Sequence, residues 1–208
     1  KSIIWNDKDI NIDWPLETIQ NKIELTSNYS LLGGGNVNII SRSLSSVLLG
    51  GQYNKILGYR AGGGIDTIGN FLGGGQENQL IASDYGFIGG GASGSLRGRS
   101  DYSAIVGGLS NEISSSEYSF IGGGLNNSIV SSADFNAILG GENNHIGSTL
   151  TDAFVIGSNI SASLSNTTFV ENLAIPATKK LFLDGGSNTY LQESSDGVID
   201  VYLSLIHI

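Results

Sequence analysis

The chain has 208 residues, 31 of them Gly and 2 Pro, with no Cys and no Met; 10 Lys and Arg against 19 Asp and Glu give a formal net charge of −9. The lack of Cys excludes disulfides and thiolate chemistry, and the acidic balance argues against binding to nucleic acid or anionic lipid. No apolar run approaches the ~20 residues that a membrane span needs, so membrane insertion is not expected. The glycine excess, which has no collagen period, is the feature to explain.

Residues 1–28 form an N-terminal extended segment that precedes the glycines and holds both tryptophans. Its run Ile3–Leu16, which reads IIWNDKDINIDWPL, resembles the C-terminal stretch of dTDP-4-dehydrorhamnose 3,5-epimerases. That family consists of dimeric cupin-fold enzymes, and its catalytic residues lie upstream of this stretch, so none is expected here. The resemblance implies either a truncated epimerase fused to the glycine-rich region or a tail joined to it by an assembly error. The alternative is an amphipathic extended segment that caps the first repeat.

Residues 29–165 are an internal repeat marked by eight pairs of adjacent glycines. Successive pairs lie 16, 12, 12, 16, 17, 16 and 17 residues apart, so two shortened units are expected around the third pair. Ile or Leu stands six residues after each first glycine, and Asn stands four residues after it in six of the eight units. The first glycines are Gly34, Gly50, Gly62, Gly74, Gly90, Gly107, Gly123 and Gly140. The Asn positions are Asn38, Asn54, Asn78, Asn111, Asn127 and Asn144, and the Ile markers are Ile40, Ile56, Ile113, Ile129 and Ile146.

This pattern predicts an all-β fold in which a single chain winds into a β-solenoid with coils of about 16 residues. Short strands would supply the inward Ile and Leu side chains, and the glycine pairs would allow positive φ or a close approach of neighbouring chain. The Asn position is interpreted as a turn, because Asn tolerates the left-handed region and bonds its own backbone. A helical fold is excluded, since each glycine would cost ~1 kcal/mol relative to Ala.

Two further sets of side chains indicate candidate surfaces. Apolar residues next to the inward positions should point to the opposite face, where we expect them to be buried against other copies of the chain. These residues are Leu49, Phe71, Phe87, Phe120 and Leu139. Tyrosines recur near the outer turns, where they would either form a glycan-binding face or pack between chains. These are Tyr53, Tyr59, Tyr85, Tyr102 and Tyr118.

The pattern Ser-x-Ile-x-Gly-Gly-x-x-Asn-x-Ile occurs at Ser103–Ile113 and at Ser119–Ile129. It resembles the head repeats of trimeric autotransporter adhesins, and equally the Gly- and Asn-rich repeats of bacteriophage and other viral fibre proteins. Those families form left-handed β-rolls that trimerise about a common axis. The resemblance therefore implies a left-handed β-roll and a homotrimer.

Residues 166–202 are expected to form a β-hairpin segment, because apolar-alternating runs are joined through Asp-Gly turns at Asp184 and Asp196. The run Leu183–Tyr190 and the following Glu193–Gly197 resemble a segment of phage tail-fibre and neck-appendage proteins. Residues 203–208, LSLIHI, resemble a translated sequencing adapter and are excluded from the fold prediction. Together with the lack of Met, this leads us to expect that the gene extends beyond both ends.

No catalytic, cofactor-binding or metal residues are predicted. Gly89–Gly94 matches G-x-G-x-x-G, but no strand–helix unit follows it. Glu142–His145 are consecutive turn positions, and His145 has no second His at zinc spacing. The sequence therefore predicts a non-enzymatic fibre module or adhesin head at a virion or cell surface, which attaches to a receptor or glycan. The alternative is a C-terminal epimerase fragment, from dTDP-rhamnose biosynthesis, fused to a repeat extension.

Overall fold

The protein is described here from a computed structural model that covers residues 4–5, 21–24, 26–58, 67–147, 149–175, 179–182, 190–195 and 198–202. All regular structure in these ranges is β-strand, which confirms the all-β prediction. The strands are, in chain order, β1 (Ile4–Trp5), β2 (Lys22–Ile23), β3 (Leu31–Leu32), β4 (Ile39–Ser41), β5 (Ser43–Leu44), β6 (Val47–Leu48), β7 (Lys55–Leu57), β8 (Thr67–Ile68), β9 (Phe71–Leu72), β10 (Gln79–Ile81), β11 (Phe87–Ile88), β12 (Ser95–Arg97), β13 (Ala104–Ile105), β14 (Glu112–Ser114), β15 (Phe120–Ile121), β16 (Ser128–Val130), β17 (Ala137–Ile138), β18 (His145–Ile146), β19 (Phe154–Ile156), β20 (Thr168–Val170), β21 (Lys180–Phe182), β22 (Tyr190–Ser195) and β23 (Val198–Tyr202).

Two long sheets run through the repeat. The first sheet has ten strands in the order β1-β3-β6-β9-β11-β13-β15-β17-β19-β20, and the second has eight in the order β18-β16-β14-β12-β10-β7-β4-β2. Equivalent residues of successive coils pair in parallel, as Ile105 does with Ile121 and Ile113 with Ile129. Each coil adds one strand to each sheet, and the chain then enters the first sheet again beside the strand of the preceding coil. The chain is therefore a β-solenoid of about eight turns, as predicted.

The core is a double column of aliphatic side chains, one column from each sheet. The Ile markers of the second sheet, such as Ile113, and their counterparts in the first sheet, such as Ile121, are fully buried. The strands stay short because left-handed residues turn the chain several times in each coil. In the coil that begins near Ser103, these residues are Ser110, Ser115 and Tyr118, with φ of 57°, 53° and 54°.

The two shortened coils expected around Gly62 do not form. Leu48 pairs directly with Leu72, and Ile56 with Leu80, so one coil of 24 residues replaces the two predicted units. Ile68, which the 12-residue spacing would point inward, is 39% exposed.

The extra length of this coil enters at one corner. Gly58 N donates to Ser41 O at 2.9 Å, and Thr67 Oγ1 donates to Ser43 Oγ at 2.8 Å, as in a coil of ordinary length. The eight residues between them, 59–66, lie outside the described residues, as do Gly62 and Tyr59 within them. The 24-residue coil is therefore a 16-residue coil with an eight-residue addition.

The solenoid belongs to a compact unit that spans Lys1–Glu171. Strand β1 pairs antiparallel with β3, with Ile4 opposite Leu32, which agrees with the interpretation of the N-terminal segment as a cap. Strand β2 already belongs to the second sheet, and β20 continues the first sheet past residue 165, so the ladders extend beyond both predicted boundaries. Most of the epimerase-like run lies outside the described residues.

A second compact unit spans Asn172–Ile208 and contains a three-stranded antiparallel sheet in the order β21-β22-β23. Leu191 pairs with Leu181 on one side and with Val201 on the other, which confirms the predicted hairpin pairing. Lys180 Nζ, on β21, lies 3.8 Å from the ring centroid of Tyr190, on the neighbouring strand β22. Residues 203–208 lie outside the described residues.

Candidate interaction surfaces

The asparagines of the repeat form a buried ladder rather than surface turns. Asn127 Nδ2 donates to Gly123 O at 2.9 Å and to Gly141 O at 3.0 Å, and its Oδ1 accepts from Asn144 N at 3.0 Å. The left-handed conformation belongs to the preceding residue, Asn126, with φ of 56°. The turn interpretation was therefore wrong, because Asn satisfies buried backbone groups of two coils at once. Equivalent bonds are made by Asn38, Asn54, Asn78, Asn111 and Asn144.

Within each described glycine pair, the second member makes the close approach to the next coil, while four of the first members are constrained by positive φ alone: Gly34, Gly50, Gly74 and Gly123. Gly108 has φ of 90°, and a Cβ added there would overlap Gly124 of the next coil. Gly107 has no heavy atom within 4 Å of the corresponding point. The first glycine of each pair marks the repeat in the sequence, but the close approach of coils falls on the residue after it. At the described first glycines an added Cβ would have no heavy atom nearer than 3.9 Å; these are Gly34, Gly50, Gly74, Gly90, Gly107, Gly123 and Gly140.

A second buried polar ladder was not predicted. Ser103 Oγ donates to Ser116 O at 3.1 Å and accepts from Ser119 N at 2.9 Å, so it links neighbouring coils as the asparagines do. The signal in the sequence was a small or polar residue two positions before each inward Leu or Ile of the first sheet. The buried members with side-chain bonds to the next coil are Ser30, Ser46, Asn70, Ser103, Ser119 and Asn136.

The outer surface of the first sheet is apolar along its length. Leu49 and Leu139 are 49% and 51% exposed, which confirms that these side chains point away from the core. No charged residue flanks the inward side chains of the first-sheet strands from β3 to β20. We call this surface the apolar face. It comprises Leu31, Gly33, Val47, Leu49, Phe71, Gly73, Phe87, Gly89, Ala104, Val106, Phe120, Gly122, Ala137, Leu139, Phe154, Ile156, Thr168 and Val170.

Large and small residues compensate in most coils of the apolar face. The Phe87 ring lies over Gly89, 3.2 Å from where a Cβ would stand, and Phe120 lies over Gly122 in the same way. Where the first position is Ala, as at Ala137, the second is larger, as at Leu139. Such compensation reduces the variation in side-chain volume between these levels, which suits a packed interface.

The outer surface of the second sheet is more polar, although four apolar side chains also lie on it: Ile39, Leu57, Ile81 and Val130. The column of residues before the inward Ile and Leu contains Lys55, Gln79 and Ser95, followed by Glu112 and His145. Arg97 forms an ion pair with Glu112 on this surface. The two sheet surfaces therefore differ: one is apolar, and the other mixes charged, polar and apolar side chains.

Four aromatic residues stack at one corner of successive coils. Ring centroids of Tyr85 and Tyr102, and of Tyr102 and Tyr118, are 5.1 Å apart, and those of Tyr118 and Phe135 are 4.9 Å apart. The rings are nearly parallel, so each inner ring has both faces covered and exposes only its edge. Loss of solvent within the stack raises the pKa of the Tyr102 phenol, and the neighbouring tyrosines add to the effect. Ring faces for sugar stacking are therefore not available on Tyr102 and Tyr118.

Among the described residues, no three His, Cys, Asp or Glu side chains converge as a metal site. The described part of the chain also contains no helix long and apolar enough to cross a bilayer. Neither the protein-family models nor the curated protein sequences that were compared with the chain give a match. The fold and its internal ladders define the class of the protein: it is a β-solenoid repeat protein.

Proposed function

We propose that the protein is a structural and adhesive fibre module, which self-associates as a homotrimer and presents its outer surfaces for attachment at a virion or cell surface. The apolar face is the observation that carries this proposal. Eight coil-to-coil spacings of about 4.8 Å give it a length of roughly 40 Å. A contiguous exposed apolar surface of that extent is typical of an interaction site rather than of solvent-facing sheet.

A second copy of the chain is the partner that fits this surface. The face repeats with the spacing of the coils, and another copy offers the same repeat and the same lack of charge. Because the apolar face contains no charged residue, burying it removes none of the chain's charges from solvent, where they favour solubility. A three-fold arrangement, which the adhesin and fibre resemblance implies, would turn three apolar faces toward one axis.

Attachment follows from the geometry of such an assembly. Each solenoid surface repeats the same positions along its axis, and three copies present every position three times. Weak contacts made at several positions at once would combine into strong attachment, provided that all can be engaged together. No chemical step is required of the described residues, and we propose no enzymatic role.

The test is the mass of the chain in solution by sedimentation equilibrium. We expect a trimer for the natural chain and dissociation for Leu139→Glu, because the substitution places three charges in the apolar interface. Ser114→Glu is the matched control, since Ser114 follows a buried Ile in the second sheet as Leu139 does in the first. A well-folded monomer, or equal effects of the two substitutions, would overturn the proposal.

A further inference from the structure

An open trough of about 710 Å³ lies on the outer surface of the second sheet. This volume falls within the range of small-ligand sites. Two columns of side chains line the trough, one on each side of the buried ladder position, and Arg97 lines it as well. The first column is Val37, Tyr53, Glu77 and Ser93, and the second is Ile39, Lys55, Gln79 and Ser95.

The trough runs parallel to the solenoid axis across four coils. Lys55 pairs with Ile39 on one side and with Gln79 on the other, and Gln79 pairs with Ser95, so the second column is in register. The first column lies in the left-handed bends just before these strands, and its side chains line the same trough. The lining therefore differs from coil to coil. The first coil contributes apolar side chains and the second contributes Tyr53 and Lys55. The third contributes a carboxylate and an amide, and the fourth contributes two hydroxyl groups.

The second level of the trough carries an aromatic ring and a cation that the fold does not use. Tyr53 is 42% exposed and, unlike the stacked residues at the other corner, has no stacked ring among the described residues. Lys55 makes no ion pair within the described part of the chain. A half-exposed aromatic ring near an ammonium group can contact an apolar part and a polar group of the same ligand.

A peptide strand and a nucleic acid fit this trough poorly. The backbone N–H groups of Lys55 and Gln79 already donate to the next coil, at 2.9 and 2.8 Å, so an added strand would find no ladder to join. Nucleic acid would meet an acidic chain with few cations, and Arg97 is already paired with Glu112.

A linear sugar chain fits the trough by both chemistry and spacing. Sugar rings have apolar C–H faces that pack on aromatic rings, and hydroxyls that bond to carboxylate, amide and hydroxyl groups. Coils lie about 4.8 Å apart, which is close to the length of one pyranose unit along a glycan. The trough could therefore meet one sugar ring at each coil.

We propose that this trough binds a linear oligosaccharide, with one ring stacked on Tyr53 and a neighbouring group bonded by Lys55. This proposal names the class of ligand for the proposed function. It rests on the proposed function only in taking the fibre module to present a site for a ligand. The trough lies on the second sheet and the apolar face on the first, so self-association and sugar binding use different surfaces.

The test is binding of the full chain to an array of neutral and of uronic- or sialic-acid-bearing oligosaccharides. Tyr53→Asn removes the ring and keeps the backbone, because Asn tolerates the left-handed conformation that Tyr53 has, with φ of 58°. Tyr29→Asn is the matched control, with φ of 57° and a more exposed ring outside the trough. We expect at least one linear oligosaccharide to bind, a loss of about tenfold or more for Tyr53→Asn, and little change for Tyr29→Asn.

Lys55→Gln separates the two kinds of sugar, because it should weaken acidic ligands much more than neutral ones. Binding to no oligosaccharide, or equal losses for Tyr53→Asn and Tyr29→Asn, would overturn the inference. Sedimentation of the same samples reports the oligomeric state separately. A trimer that binds no sugar contradicts only the trough proposal, and a monomer that binds sugar through Tyr53 contradicts only the trimer.

Discussion

Asn54 Oδ1 accepts a hydrogen bond from Asn78 N at 2.9 Å, although 24 residues separate them in the chain. The corresponding contacts from Asn38 to Asn54 and from Asn127 to Asn144 span 16 and 17 residues. The asparagine ladder therefore passes through the longest coil without interruption. What matters for the fold is the coil-to-coil contact, and chain length between contacts can vary at a corner.

The first prediction is that residues 59–66 can be removed without unfolding the solenoid. The deletion joins Gly58 to Thr67, as Arg42 joins Ser43 in the preceding coil, and shortening a loop changes closure entropy only slightly. We expect the free energy of unfolding, measured by urea denaturation, to change by less than about 1 kcal/mol.

The control for this deletion removes eight residues from an ordinary coil, 87–94, which contains a strand of the first sheet. That change should abolish cooperative unfolding, because it breaks the register of both sheets. If the deletion of 59–66 were equally damaging, two 12-residue units would describe this region better than one coil with an addition.

The second prediction concerns the two members of a glycine pair. Gly108→Ala should lower the free energy of unfolding by about 2–5 kcal/mol, because it combines a left-handed Ala with overlap against Gly124. Gly107→Ala should change it by less than about 1 kcal/mol, since its Cβ would meet no atom. Thermal or urea denaturation of the two variants in parallel gives the comparison. Equal losses would mean that the coils do not approach closely at Gly108.

The third prediction is a stabilising substitution at the gap in the asparagine ladder. Gly94 holds the Asn position but offers no side chain to Asn111 N of the next coil. Gly94→Asn should add coil-to-coil hydrogen bonds and raise the free energy of unfolding by about 1–2 kcal/mol, once the end of the Asn78 side chain shifts to make room.

Gly94→Ala is the control for this substitution, because it removes the flexibility of Gly without supplying an amide. Its stabilisation should stay below that of Gly94→Asn in the same urea titration. A larger gain for Ala than for Asn would show that the side-chain bonds of the ladder contribute little to stability.

The repeat period and the inward residues could be predicted from the sequence because they depend on a pattern that every coil shares. Ile113 and Ile129 occupy the same position of the repeat, and both are buried. The period gave a wrong prediction at Gly62, where a glycine pair and Ile68 have the spacing of a unit but do not form a coil of their own. Arg60 stands where every other unit has Leu or Ile, and this break was the available signal.

The role of Asn127 could not be predicted from its own conformational preferences. Asn is common in left-handed turns, but here the buried carbonyl groups of two coils need hydrogen-bond donors, and a buried side-chain amide supplies them. The trough was also beyond sequence reasoning. Tyr53, Lys55 and Gln79 come together only through the register between a 16-residue and a 24-residue coil.

The contacts that join one coil to the next have a mechanical consequence for a fibre. Backbone hydrogen bonds connect neighbouring coils throughout the solenoid, the asparagine ladder connects most of them, and the aromatic stack connects the four coils from Tyr85 to Phe135. Tension along the solenoid axis would therefore be shared among these contacts. The step from Gly94 to Asn111 has no asparagine side chain to share that load. Under tension, the asparagine ladder should therefore carry no load at this step, where the Tyr85–Tyr102 stack and the Arg97–Glu112 ion pair join the two coils instead.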